Sequence, residues 1–322
     1  MKIQQCFCGV IAFLALHCSI GMAQEYPNKP IKVVIPYAPG GPSDIFGRLL
    51  FQKITENTGY TFFIENKPGA SANIGIQYVA KSNPDGYTLL LSSSAFVINP
   101  SLIANSGYDA SRDFAAISLP ASSPNIIVVN PTFPAKNFRE FLALIKQNPG
   151  KYDYSSPGAG TSPQLTAELL KLKANLDIKH IAYNGGGPAL QAVLSNDVPI
   201  GFAVLPPTVQ QISGGKVLGL AVTSSARYPS LPDIPTVAES GLPEFEGETI
   251  QFLMAPAGTP KSIVQKLHQE ITKVLGNQEM RNKLSSMGFI VSLRTPEQSE
   301  QKIKLEVEKW AQVIKANKIQ AD

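Results

Sequence analysis

From Ile31 onward the chain alternates between two hydrophobic periods. Short apolar, largely β-branched runs end in loops of Gly, Pro and Ser. Each loop opens into a stretch with apolar residues every three to four positions, the pattern of strands followed by amphipathic helices. "IKVVIPY" predicts the first strand. "SDIFGRLLFQKITENTG" predicts a helix with Ser43 or Asp44 as N-cap, with Ile45, Phe46, Leu49, Leu50 and Ile54 on one face and a stop at Gly59. "YTFFIEN" is a second strand, "KPGAS" a loop and "ANIGIQYVAKS" a shorter helix. "DGYTLLLSSS" is a third strand, apolar almost throughout, as suits a strand covered on both faces. Alternation of this kind implies right-handed βαβ crossovers and a parallel sheet.

After "RDFAAISLPASSP" the pattern restarts. "NIIVVNP" predicts a strand and "NFREFLALIKQNPG" a helix with Phe138, Phe141, Leu142 and Ile145 inward. "YDYSS" leads through "PGAGTS" into "PQLTAELLKLK", and "IKHIAYN" through "GGG" into "PALQAVLSN". "VPIGFAVL" leads through "PP" into "TVQQISGG", and "VLGLAVTSS" is a further strand. The tail is helical in "TPKSIVQKLHQEITKVLG" and in "SEQKIKLEVEKWAQVIKAN", where Ile303, Val307, Trp310 and Ile314 form the buried stripe. The lysines of that last helix read as a solvated face.

The N-terminus departs from this pattern. Lys2, an uncharged apolar run centred on 10–16, and Gly21-Met22-Ala23 predict a secretory signal, residues 1–23, cut after Ala23. The run is shorter than the roughly 20 residues of a membrane span. A lipidated Cys18 is the alternative mature N-terminus, with His17 a poor fit before it. All three cysteines lie in the signal, so the exported chain is expected to have no disulfide, thiolate nucleophile or Cys-bound metal. What remains is ample for two domains. A net charge of +4 is too mild and too evenly spread for nucleic acid.

In a parallel α/β sheet the strand-to-helix loops lie at the carboxyl edge, where such folds bind ligands. "YAPGGPS", "NKPGAS" and "SSS" should then share one rim, and "SPGAGTS" and "YNGGGP" the other. Two such rims facing across a cleft would make a pocket of backbone N–H groups and small hydroxyls. Helix N-termini would make it receptive to an anion without a cationic side chain. The alternative is that the glycines only make tight turns.

Sharper motifs fail. "GAGTSP" has Pro163 where a dinucleotide fingerprint needs its third Gly, and neither a phosphate-loop pattern nor a Gly-x-Ser-x-Gly elbow occurs. His180 in a strand and His268 on a helix show no partner at ligand spacing, so both read as structural, without zinc or a triad. Asp85, Asp113, Glu239 and Glu246 fall in or near turns without forming a pair. No metal, cofactor or catalytic residue is expected.

The stretches "YPNKPIKVVIPYAPGGPSDIFGRLL", "ENKPGASANIG", "PDGYTLLL", "YSSPGAGTSPQLTAELL", "IAYNGGGPALQAVL" and "RYPSLPDIPTVAESGLPEFEGETIQFLMAPAGTP" together resemble the substrate-binding proteins of tripartite tricarboxylate transporters, the TctC-like or Bug family. The resemblance spans essentially the whole exported chain. It implies a periplasmic two-domain binding protein of type II, the Venus-flytrap α/β fold. Domain 1 would comprise 24–123 and 246–322, and domain 2 would comprise 124–245, with hinge segments near 118–124 and 244–250. It also implies a small carboxylate ligand, a membrane permease as partner, and a monomer.

Carried over by position, the ligand residues are Tyr37, Ala38, Gly40, Gly41 and Asp44; Ser92, Ser93 and Ser94; Gly158, Gly160, Thr161 and Ser162; and Tyr183 and Asn184. Asp44 reads better as a cap or loop brace, since a carboxylate facing an anion repels it. Gln164 and Asn184 stand where many relatives carry His and Lys. That loss of positive charge opens the pocket to neutral, aromatic or amide-bearing monocarboxylates as well as citrate. Two other readings stay open. One is a secreted enzyme on a similar cleft, against which stands the lack of a nucleophile–base pair. The other is a sensory binding protein for a membrane receptor.

Overall fold

The computed structural model describes residues 26–183 and 185–320. The expected signal peptide and Asn184 lie outside the described residues. The first half is built from β1 (Ile31–Ile35), α1 (Pro42–Thr58), β2 (Phe62–Asn66), α2 (Asn73–Ala80), β3 (Thr88–Ser92) and α3 (Ala95–Leu102). β4 (Phe114–Val129) carries the chain into α4 (Phe138–Gln147), β5 (Asp153–Ser156), α5 (Ser162–Ala174), β6 (Lys179–Ala182), α6 (Gly186–Leu194), β7 (Ile200–Val204), α7 (Leu205–Ser213) and β8 (Leu218–Val222). β9 (Glu248–Pro256) returns it to the first half, where α8 (Lys261–Gly276), α9 (Gln278–Ser286), β10 (Ile290–Val291) and α10 (Pro296–Asn317) complete the described chain.

The strands run in the order β2-β1-β3-β9-β4-β7-β5-β6, with β8 and β10 also pairing with β4. β1 is parallel to β2 and β3, and β5 to β6 and β7, so each half has the parallel core that βαβ crossovers require. β4 and β9 are the antiparallel elements between them. Up to Pro124, β4 pairs with β9; from Asn125 it pairs with β7 and β8. One 16-residue strand thus serves both halves.

This corrects the expected break at "RDFAAISLPASSP": from Phe114 in that stretch to Val129 in "NIIVVNP" the chain is a single strand. Pro120 and Pro124 lack the ladder N–H. The register shifts between Ala116 and Ser118 and again between Ser118 and Ala121, as bulges allow. "FEGETIQF" likewise runs into β9. Of the two expected hinge segments, 118–124 is strand throughout and 248–250 begins β9.

Within α1, Gly59 ends the helix as expected, at φ +74 with its N–H on Thr55 O. The N-terminus differs. Gly41 is the N-cap and Pro42 takes the first helical position, where its fixed φ and missing N–H cost nothing. The buried face is Phe46, Gly47, Leu50, Phe51 and Ile54, whereas Ile45 is 41% exposed and Leu49 half-buried. Gly47 explains this rotation: a Cβ there would lie 2.6 Å from Leu91 and 3.0 Å from Ile35, so the helix sits down on the sheet at that point.

The last helix also differs from expectation. Ile303, Trp310 and Ile314 are buried, but so is Glu306, at 2% exposure. Lys302 and Lys309 are therefore not simply a solvated face. Their Nζ atoms meet Glu306 at 2.9 and 2.8 Å, and Trp310 Nε1 donates to it at 2.9 Å. Burial alone would push this carboxyl up, but the two lysines hold it below the usual range. Among the described residues, no helix is long and apolar enough to cross a membrane.

Candidate functional site

The first rim is the β1–α1 loop with the end of β3. Gly40, at φ +81, points its N–H at Asp44 Oδ2 (2.9 Å). Asp44 also accepts from Arg48 Nε at 3.0 Å and Asn66 Nδ2 at 2.9 Å, and Asn66 reaches Tyr37 O at 3.1 Å. Burial would raise the Asp44 carboxyl. The donors on Arg48, Gly40 and Asn66 outweigh it and hold the group below the ordinary carboxylate range. Asp44 is 3% exposed and committed to the loop itself. Ala38 and Gly40 are exposed and Gly41 is half-buried.

Tyr37 joins this loop to β3. Its hydroxyl lies 3.1 Å from Ser92 Oγ and accepts from Ser93 N at 3.1 Å and Ser93 Oγ at 2.7 Å. Burial pushes the phenol up, against the pull of these serines. Ser94 starts α3, but its hydroxyl turns away from the helix. It donates to Glu248 O at 3.3 Å and accepts from Ile250 N at 3.1 Å.

The second rim is the β5–α5 loop beside the end of β6. Gly158 and Gly160 take φ +139 and +72, conformations that favour glycine. Thr161 Oγ1 donates to Gly158 O at 2.7 Å, and Gly160 N donates to the buried Gln164 Oε1 at 3.2 Å. Gln164 therefore braces the loop. Tyr183 is half-buried, its N–H on Ser156 O at 3.1 Å. His268 meets Ile117 O at 3.1 Å, a structural contact as expected. His180 is likewise held by a buried contact: its Nε2 lies 2.7 Å from Ser156 Oγ. This pair does not make an open nucleophilic site, because Ser156 is fully buried and its oxygen also faces Gly158 N and O.

The two rims converge. Ser162 Oγ donates to Glu248 O at 3.0 Å, the same carbonyl that Ser94 reaches. Beneath them, Asn125 Nδ2 donates to Ser162 Oγ (3.0 Å) and Thr166 Oγ1 (2.8 Å), while Thr249 Oγ1 donates to Asn125 Oδ1 at 2.9 Å. Thr223 Oγ1 reaches Asn125 O and Gly247 O. Leu102, at the end of α3, packs so tightly on Gly160 that a Cβ there would lie 2.3 Å from its Cδ2. The turn at Gly40 and Gly41, by contrast, is tied to its own half through Asp44.

Asn125, Thr166, Thr223 and Thr249 were not among the expected residues. Their only signal is polarity inside otherwise apolar strand and helix stretches. Gln251 and Ser123, on the same face by register, belong with them: both are fully buried, and neither the Gln251 carboxamide nor the Ser123 hydroxyl has a partner among the described residues. Loops of glycine, hydroxyls and backbone amides at helix starts suit a small anion held without a cationic side chain.

Two α/β halves joined by a shared antiparallel strand pair, with strand-end loops from both halves reaching the junction, constitute the fold of periplasmic binding proteins. The sequence pattern of the tripartite tricarboxylate transporter family receptor, TctC, matches residues 46–319, and the chain belongs to that family. Protein BugT of Bordetella pertussis is 32% identical over 295 residues, covering 91% of this chain and 90% of BugT. MatC from Rhodopseudomonas palustris, solved with bound malate, superposes with a TM-score of 0.80 at 29% identity, over 90% of this chain and 100% of that one. An R. palustris protein solved with adipate gives 0.85 at 29%, over 92% and 100%.

Proposed function

We propose that this protein is an exported solute-binding protein that captures a small carboxylate between its halves and delivers it to the membrane permease of a tripartite tricarboxylate transporter. The convergence of Ser94 and Ser162 on Glu248 O supports the reading, because it ties the serine end of β3 to the start of α5, one element from each rim. Relatives solved with malate and adipate support the ligand class.

In this reading domain 1 is 24–123 with 246–322, domain 2 is 124–245, and the crossing of β4 and β9 is the hinge. Tyr37, Ala38, Gly40, Gly41, Ser92, Ser93, Gly158, Gly160, Thr161 and Tyr183 line the ligand space, Ser94 and Ser162 bridge the halves, and Asp44 braces the first loop. A ligand touching both rims stabilises the closed arrangement selectively, and the closed surface is what the permease reads. The protein acts by binding, without turnover, in the periplasm.

A thermal-shift screen of malate, adipate, citrate and aromatic carboxylates tests this. A ligand at about 100 times its Kd adds roughly 2.7 kcal/mol, a shift of several degrees. A flat response, together with no small carboxylate released on denaturation, would overturn the reading.

A further inference from the structure

The face of the β4–β9 crossing that carries Asn125 also carries Ser123, Thr249 and Gln251. Ser123 lies opposite Thr249, and Ala121 opposite Gln251, in the antiparallel register, so these side chains project to one side. Thr249 Oγ1 donates to Asn125 Oδ1 at 2.9 Å, and Asn125 Nδ2 reaches Ser162 and Thr166 of α5. The polar groups nearest α5 are thus paired. Those one step further along the strands are not. Ser123 Oγ and both Gln251 Nε2 and Oε1 have no hydrogen-bond partner among the described residues, and both residues are 0% exposed. Solvent does not reach these three atoms. Polar groups in that condition disfavour whichever arrangement of the chain buries them.

We propose that Ser123 and Gln251 are a conformational bias built into the crossing: unpaired while the halves touch, they hold the ligand-free protein open. β4 changes partners between Pro124 and Asn125, so this face lies at the line about which the halves turn. Part of its cover belongs to the second half. α5 meets Asn125, and its Thr166 stands so close to the chain entering β9 that a Cβ on Gly247 would lie 2.6 Å from Thr166 Oγ1. Turning the second half away withdraws α5 and admits water to the face, where each unpaired group gains partners. Ligand contacts to both rims offset the bias, so closure follows capture. That consequence rests on the proposed function; the open preference itself is measurable with no ligand present.

Gln251→Met keeps the length and flexibility of the side chain and removes both unpaired groups. Ile45, on α1 in the first half, is 41% exposed, and residues 24–322 contain no cysteine, so Ile45→Cys takes a single spin label. Relaxation enhancement at the amides of 158–161, in the second half, then reports how many ligand-free molecules have their halves together. The closed-to-open ratio should rise about tenfold in Gln251→Met, the worth of an unpaired buried group, and by less in Ser123→Ala. In unlabelled protein, calorimetric titration with malate and adipate should show binding about tenfold tighter in Gln251→Met, because apparent affinity follows the binding-competent fraction. Unchanged relaxation enhancement in both variants would overturn the bias. So would weaker binding in Gln251→Met, which would make the carboxamide a ligand contact. A loss of stability with unchanged affinity would overturn it too, by showing that the carboxamide is paired in solution. Failure of both probes to bind any of the proteins, with the relaxation results as expected, would count against the carboxylate reading and leave the bias standing.

Discussion

Ser94 and Ser162 donate to one carbonyl, Glu248 O, at 3.3 and 3.0 Å from opposite halves of the molecule. Glu248 opens β9, next to the point where β4 changes partners. The junction is therefore held by polar contacts at the level of the rims, with Asn125 as the hub beneath. Ser162→Ala should cost about 1 kcal/mol, the net worth of a hydrogen bond. Asn125→Ala should cost more, about 2–4 kcal/mol, because it removes a side chain that joins Ser162, Thr166 and Thr249 and leaves buried groups unpaired. Urea denaturation of the two variants checks the order; equal losses would mean that Asn125 is not the hub.

Gly41→Asp separates binding from folding. Gly41 sits at φ −75 and ψ 168 as the N-cap of α1, an extended conformation open to any residue. An added Cβ meets only Ala38 O, at 3.5 Å. Aspartate is also a preferred N-cap and favoured by the helix dipole, so stability should hold or rise by a few tenths of a kcal/mol. The same carboxylate beside an anion site should abolish carboxylate binding. Calorimetric titration paired with a melting curve reads both, and retained affinity would remove the first loop from the site.

Glu306 makes stability depend on acid pH. Its folded-state pKa lies below the unfolded value of about 4.3. Its contribution is therefore complete above that value and is lost as pH falls through the folded one. Glu306→Gln should cost about 3 kcal/mol at neutral pH, since it leaves two lysines facing a neutral buried amide. The gap to wild type should narrow steadily below about pH 4. Denaturation curves across that range test the sign; a constant gap would assign the loss to packing instead of charge.

What could be read in advance was local. The stop at Gly59, the glycine loops and the buried third strand each depend on residues within a few positions of one another. α3 escapes the pattern because it is apolar around most of its surface and carries Pro100 inside it, so it shows neither a stripe nor a boundary. β9 shows no strand pattern in the sequence because eight of its nine residues are buried, which erases the alternation that marks a strand. The junction was illegible for another reason. Asn125 and Thr249 are 124 residues apart, and nothing in either neighbourhood announces the other. His180 lacked a visible partner until the β5–β6 register set its strand beside Ser156.

Gly160 and Leu102 provide the sharpest test of contact across the junction. Gly160→Ala should be destabilising for two separable reasons. Its φ of +72 costs a residue with a Cβ about 1–2 kcal/mol, and the new methyl group would lie 2.3 Å from Leu102 Cδ2, an overpacking worth about 1–3 kcal/mol. Leu102→Ala alone should lose about 2–5 kcal/mol as a buried large-to-small change. In Gly160→Ala with Leu102→Ala the methyl group enters space the leucine has left. The double variant should therefore be more stable than the sum of the two losses predicts, by roughly the overpacking term, while the backbone term persists. Strict additivity in denaturation curves would mean that the two halves do not touch here in solution, and that the closed arrangement forms only with ligand bound.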